Sequence, residues 1–355
     1  MTKFAFIIHP IDLGYITRKI KPFKLLPSRL AEGIVSRFPV YKASNITGIK
    51  SSLAETEGYF IICPLTSRQM LELPEEYVLK RILEAGKLAE KLGAGIVGLG
   101  AMTAVVGDAG ITIADNLGIA VTTGNSYTVA MALEGTRKAL EYAGIDMTQA
   151  KAVVLGATGS IGSVCARILA GEVRALTLVS RTQSRLERLA YQILHETGTA
   201  VKLTTDTKKA LFDADIVITV TSAVDTLIEP QDLKPGAVVC DVARPRDVSA
   251  KVASERPDVL VVEGGVVDVP GDNVQFNFNF GFPPGTAYAC MAETMILALE
   301  DRCENFSLGR ELTVSQVREI HRLGKKHGFK LAGLRSFERA LTPEELKHFP
   351  RVLDK

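Results

Sequence analysis

Two stretches of this 355-residue chain carry residue types that can do chemistry. The first is Cys290 in "PPGTAYACMAETM", where Pro283, Pro284 and Gly285 interrupt the chain ahead of a helical pattern. Pro-Pro-Gly cannot lie inside a helix and Thr286 is a favourable N-cap, so the spacing predicts a helix over 286–303 with Cys290 about four residues in. N–H groups at a helix start favour the thiolate, the form of cysteine that attacks electrophiles, while the nearby Glu293 opposes it. Read locally, Cys290 is either a small core residue or a nucleophile. Cys165 and Cys303 lie in helical patterns without such an approach and read as core packing, as does Cys240 at the end of a core strand.

The second stretch is Gly156-Ala-Thr-Gly159-Ser-Ile-Gly162, between the strand pattern "AVVL" and the helical pattern "SIGSVCARILAG". Glycines there allow a sharp turn and close approach of a pyrophosphate, whose charge rests on the helix start formed by Thr158, Ser160 and Ile161. The next strand runs into "SRTQSR", with Ser180, Arg181 and Thr182 where a carboxylate would select a bare ribose hydroxyl. Arg181, with Arg185 one turn on, suits a 2′-phosphate, so the predicted cofactor is NADPH. Thr221 and Ser222 end the fourth strand pattern and Gly264 follows the sixth; all three fall where ligands meet such sheets.

The elements that must position these residues read as α/β throughout. "KFAFIIH", "EGYFIICPL" and "GAGIVGLG" are strand-like, and "PEEYVLKRILEAGKLAEKLG" has a helical period between Pro74 and Gly93. "NSYTVAMALEGTRKALEYAGID" is a long helical pattern, after which strands and helices alternate as in a doubly wound parallel sheet. The expected fold is α/β: an NADP-binding Rossmann domain over 148–270 and a second α/β domain. That second domain is built from 1–147 and completed by a return segment, 271–355, that carries Cys290. Phe276, Phe278, Phe280 and Phe282 alternate with polar residues and Gly281 as a half-buried strand would, or line an apolar channel.

Bulk composition narrows the partners. The net charge of +2 gives no ground to expect nucleic acid, and no apolar run reaches the roughly 18 residues of a membrane span. Five scattered cysteines, without a C-x-x-C pair or a leader pattern, predict a reducing, cytoplasmic setting. Five scattered His without H-E-x-x-H predict no built-in metal site. Nothing sets an oligomeric state.

"TTGNSYT" at 122–128, "LGATGSIGS" at 155–163, "YACMAETM" at 288–295 and "NFSLGR" followed by "KHGF", in this order and spacing, resemble the cyanobacterial long-chain acyl-(acyl-carrier-protein) reductases. The resemblance runs from about residue 75 to 329. It implies NADPH-dependent reduction of a fatty acyl thioester, borne by acyl-carrier protein or CoA, to an aldehyde. Cys290 then takes the acyl group. Asn125, Ser126, Tyr127 and Thr128 are candidates to stabilise the oxyanion, with Ser126 and Tyr127 as catalytic candidates and Tyr127 as leading proton donor. The family pattern has His at the position of Tyr127 and Gly-Gly-Tyr-Pro where this chain has "DVARP". The alternatives are an NADP oxidoreductase of the shikimate or quinate dehydrogenase type and a non-enzymatic NADP-binding protein. Two basic stretches suit an acidic carrier: Arg18, Lys19, Lys21, Lys24 and Arg29, and Arg318, Arg322, Lys325, Lys326 and Lys330.

Overall fold

The computed structural model describes residues 1–10, 26–223, 225–347 and 349. The chain divides into two compact units. One holds Met1–Tyr127, Asp268–Glu311 and Glu319–Lys330; the other holds Thr128–Val267, Leu312–Arg318 and Leu331–Lys355. The expected boundaries lay after 147 and 270; the units change over after 127 and 267, because the helix Asn125–Ala143 begins in the first and continues in the second.

The first unit is built on a five-stranded sheet in the order β2-β3-β1-β4-β5. Its strands are β1 (Lys3–Ile8), β2 (Tyr41–Lys50), β3 (Glu55–Ile62), β4 (Ala94–Leu99) and β5 (Ala120–Thr122). All but β2 run parallel. Parallel strands covered on both faces need continuous apolar runs, which "KFAFII" supplies. On one face Ala5, Ile7 and Ile61 meet Val78, Ile82, Ala85 and Ala89 of the helix Glu75–Lys91. Each fully buried Val or Ile there contributes about 1.5–3 kcal/mol. Glu75 and Glu76 in that helix's first turn and Lys91 in its last complement its dipole, and Gly93 leaves it at φ +79°. On the other face Phe6 and Phe60 meet edge to face, 6.5 Å between centroids, beside the helix Ala289–Leu299. Sequence patterning did not find β2: it is a mostly exposed edge strand whose pairing with β3 is interrupted twice.

The second unit holds a six-stranded sheet in the order β11-β10-β9-β6-β7-β8. The strands are β6 (Lys151–Leu155), β7 (Ala175–Val179), β8 (Lys202–Thr204), β9 (Ile216–Thr219), β10 (Val238–Asp241) and β11 (Leu260–Glu263), all parallel. The chain steps outward from β6 to β8, crosses back to β9, and steps outward again to β11. That reversal beside β6 is the switch point of a Rossmann sheet. Val153, Leu155, Val217, Val239 and Val261 fill its core. Among the described residues no helix is long and apolar enough to cross a membrane, and no group of three His, Cys, Asp or Glu is gathered as a metal site.

Candidate active site

The helix that carries Cys290 starts later than its sequence suggests. Thr286 is not its N-cap: it lies in a short strand, Thr286–Tyr288, with its hydroxyl donating 2.8 Å to Pro283 O. The helix runs Ala289–Leu299 with Tyr288 as N-cap, and ends four residues earlier than expected. Cys290 is therefore the second helical residue, within the first turn, where the dipole and first-turn N–H groups act most strongly on a thiolate. A helix this apolar is buried all round, and every residue of it is buried except Cys290, which is half-buried.

The other cysteines differ. Burial pushes the Cys63 and Cys240 thiols up to about 12 and Cys165 higher still, which leaves them inert at neutral pH. Cys303, expected in a helix and core, instead lies beyond the helix end, exposed, with Sγ 3.8 Å from Thr2 Oγ1.

Gly124 lies against Cys290. Its φ is +74°, and a Cβ there would stand 2.4 Å from Cys290 Cα and 2.5 Å from Cys290 Cβ. Only glycine admits both that backbone and that approach. The next residue, Asn125, starts the helix Asn125–Ala143, so two helix N termini converge beside one half-buried cysteine.

Beneath them sits Glu293, fully buried. Its carboxylate accepts from Thr122 Oγ1 at 2.5 Å and from Tyr127 N–H at 2.7 Å, with Gly124 N–H adding a further donor. Burial pushes this carboxyl above the usual carboxylate range, against the pull of the hydrogen bonds it accepts. Ser307 Oγ is 2.7 Å from Ser126 Oγ and accepts from Ser126 N–H at 3.3 Å, while Ser307 O accepts from Thr123 Oγ1 at 2.5 Å. Ser307 holds φ +53°, a conformation that a non-glycine residue keeps only when its surroundings demand it. Three separate motifs, "TTGNSY", "CMAE" and "NFSLG", thus form one buried knot. Gly124, Thr122 and Ser307 were not singled out in the sequence; positive φ at a serine has no sequence signature.

Ser126 and Tyr127 are both fully buried. The Tyr127 hydroxyl packs on Gly324, where a Cβ would lie 2.6 Å from it, and the ring meets Phe329 edge to face at 6.5 Å. Asn125, 8% exposed, follows Gly124 in the chain.

The phenylalanine run keeps its alternating burial but is not a strand, because Asn277 at φ +49° and Gly281 at φ +81° turn it. It curls over Phe60, whose ring lies 6.1, 5.8 and 5.0 Å from those of Phe276, Phe278 and Phe280. Phe282 packs at 4.6 Å on Tyr288, two residues before Cys290. The result is an aromatic wall from the sheet to the N terminus of the cysteine helix.

The glycine loop lies in the second unit. Gly156 turns at φ +75°, and a Cβ on it would lie 2.8 Å from Val220 O. A Cβ on Gly162 would lie 2.3 Å from Gly156 O, so the helix Ser160–Leu169 can seat on the loop only with glycine there. Gly159 is that helix's N-cap, so the helix start at Ser160 opens on the glycine loop, where a helix dipole favours an anion. Thr158 Oγ1 and Ser180 Oγ are 2.7 Å apart, tying the loop to the end of β7. Arg181 and Arg185 are exposed, and Thr182 precedes the helix Gln183–Thr197 without a side-chain capping bond. The cradle fits a dinucleotide pyrophosphate.

At the end of β9, Thr221 gives its N–H (3.1 Å) and hydroxyl (2.6 Å) to the buried carboxylate of Asp247, while Ser222 is exposed. Gly264 is required by packing, since a Cβ would meet Val242 Cγ2 at 2.6 Å. Asp241, at the end of β10, has its carboxyl pushed up to about 6, chiefly by burial, with Arg244 opposing and Asp247 adding to the rise. Neither aspartate was anticipated; an acidic residue ending an apolar strand was the available signal. Of the two basic stretches, Arg18, Lys19, Lys21 and Lys24 lie outside the described residues, and Arg29 is exposed.

A parallel sheet in the 3-2-1-4-5-6 order with a glycine cradle at its switch point is the fold of NAD(P)-dependent oxidoreductases. The shikimate / quinate 5-dehydrogenase family model matches residues 137–263. The long-chain acyl-[acyl-carrier-protein] reductase of Synechococcus elongatus is 31% identical over 271 residues, covering 70% of this chain and 75% of that protein. The chain belongs to the family of that reductase. It is also 30% identical to the aminotransferase PigE of a Serratia species over 98% of its own length but 42% of PigE, so it spans about two fifths of that relative. A glutamyl-tRNA reductase of Methanosarcina barkeri is 34% identical over 31% of this chain and 26% of its own length.

Proposed function

We propose that this protein reduces a fatty acyl thioester to an aldehyde, with the acyl group carried transiently on Cys290 and NADPH as reductant. The observation that carries this reading is that Cys290 is the one residue of a buried helix to reach the surface, in the first turn and against a second helix start. Its Sγ attacks the thioester carbonyl. The new Sγ–C bond replaces the bond to the carrier sulfur, which leaves as a thiol after taking a proton. One thioester replaces another at similar energy.

The glycine loop, with Thr158, Ser160 and Ile161, would hold the pyrophosphate, and Ser180, Arg181, Thr182 and Arg185 a 2′-phosphate. Thr221, Ser222 and Gly264, at the carboxyl ends of the sheet, would meet the other half of the dinucleotide. When bound, the nicotinamide supplies hydride to the acyl carbon. The resulting oxyanion needs preorganised donors, for which the start of the cysteine helix and Asn125 are the candidates. Collapse breaks the Sγ–C bond, returning the Cys290 thiolate and releasing the aldehyde. Ser126 and Tyr127 serve this site through the buried knot; the packing of the Tyr127 hydroxyl on Gly324 argues against a proton-donor role. The aromatic wall beside Tyr288 suits an apolar acyl chain.

For the carrier, the helix Val314–His327 exposes Arg318, Arg322 and Lys325, none with an acidic partner among the described residues. An acidic carrier protein suits that stripe better than CoA does.

Intact-protein mass measurement after incubation with acyl-CoA or acyl-carrier substrate, without NADPH, tests the reading. An acyl adduct on Cys290 supports it; modification elsewhere or none refutes it. The match at 137–263 favours a second reading, a shikimate- or quinate-type dehydrogenase, and that match does not extend to the cysteine helix. Turnover of such hydroxy acids, insensitive to iodoacetamide, would favour the second.

A further inference from the structure

We propose that Glu293 and Ser307 are positioning residues that lock the Gly124–Asn125 turn onto the first turn of the cysteine helix, so that Cys290 and its oxyanion donors hold one geometry. The proposal rests on Cys290 as acyl carrier.

A buried carboxylate is retained only where donors satisfy it, and Glu293 gathers them from outside its own helix. Tyr127 N–H and Gly124 N–H belong to the start of the neighbouring helix, and Thr122 to the end of β5. A helix start is usually capped by its own flanking side chain. Here the cap comes from the helix that bears the nucleophile, which fastens the two starts together. Ser307 closes the knot from a third segment, bonding Ser126 through its hydroxyl and Thr123 through its carbonyl. Its left-handed backbone is kept although glycine would relieve it, which points to the hydroxyl as the reason for serine.

Glu293 does not activate the thiol. It sits three residues beyond Cys290 on the same helix, and a negative charge there disfavours the thiolate. Geometry and reactivity therefore separate on mutation. Glu293→Gln is expected to lower acylation of Cys290 by thioester at least tenfold, mainly in kcat rather than KM. Alkylation by iodoacetamide at neutral pH is not expected to fall with it, because Glu293 lends the thiol no activation. Ser307→Ala is expected to lower acylation similarly with the alkylation pH profile unmoved. Ser307→Gly, which relieves the backbone but lacks the hydroxyl, is expected to give no rescue.

Hydrogen exchange across 122–128 reads the lock without any substrate, and is expected to quicken in both Glu293→Gln and Ser307→Ala. Acylation within twofold of the parent, or unchanged exchange, in both variants would overturn the proposal. Equal loss of acylation and alkylation would make Glu293 an ordinary core residue, also against it. Should the parent itself take no acyl group, the assignment of Cys290 fails, while the exchange result still decides whether the lock exists. If Glu293→Gln does not fold, Ser307→Ala and Ser307→Gly carry the test.

Discussion

At the scale of the residue, Cys290 is set apart by where its helix begins, since reactivity at a helix start falls away within one turn. Cys290→Ser is expected to lower aldehyde formation by about a hundredfold or more, because the hydroxyl is a far weaker nucleophile without an adjacent base. NADPH affinity should be unchanged, read by fluorescence titration, because the cofactor cradle is formed by other segments. Cys303→Ser is the control and should keep activity within about twofold, as an exposed side chain of similar size. In the cradle, Arg181→Ala is expected to weaken NADPH about tenfold or more and leave NADH nearly unaffected, the loss of a charge-assisted contact to a 2′-phosphate. Equal effects on both cofactors would assign Arg181 no part in discrimination.

At the scale of the element, a clasp joins the β2–β3 turn to two helix ends. The buried His327 ring contacts Ser51 Oγ at 2.9 Å through Nδ1 and Glu300 Oε1 at 2.5 Å through Nε2, and Lys326 Nζ reaches Glu300 at 2.6 Å. Burial would raise the Glu300 carboxyl, but the hydrogen bonds and charges of Lys326 and His327 outweigh it and hold the group below its usual range. A depressed folded value means stabilisation that is complete above the unfolded value, about 4.3, and is lost as pH falls through the folded one. Thermal unfolding should show Glu300→Gln costing on the order of 1–3 kcal/mol at neutral pH, with the deficit shrinking below about pH 4. A deficit independent of pH would contradict the clasp. The same helix, Val314–His327, seats Tyr127 through Gly324, so its anchoring also supports the knot.

At the scale of the whole molecule, the +2 net charge hides a local excess: residues 314–330 hold five Lys or Arg and one Glu. Glu319 pairs with Arg302 at 2.7 Å and Lys326 with Glu300, which leaves Arg318, Arg322 and Lys325 as a stripe at helical spacing. Long-range steering of an acidic partner by such a stripe raises association rates and fades with salt. Arg322→Glu with Lys325→Glu is expected to raise KM for a carrier-borne thioester about fivefold or more, with a smaller effect on acyl-CoA and none on NADPH. Equal loss toward all three ligands would signal damaged folding, and no change toward the carrier would remove this surface from docking.

The sequence by itself determined most of the elements and the glycine turn after β6. Periodicities of 2.0 and 3.6 and the conformational freedom of glycine are local, so β1, β3, β4, the parallel strands β6–β11 and the turn at Gly156 are legible in short windows. It also determined that Cys290 lies near a helix start, since Pro283, Pro284 and Gly285 cannot be helix interior. Tertiary structure alone decided that the helix waits until Ala289, that Cys303 falls outside it, and that the phenylalanines wrap Phe60 without forming a strand. It alone brought Glu293 to Tyr127, 166 residues away, and Ser307 to Ser126, 181 residues away. Such bonds join the ends of different elements, and no local pattern encodes a partner that only the packed sheet and helices bring within reach.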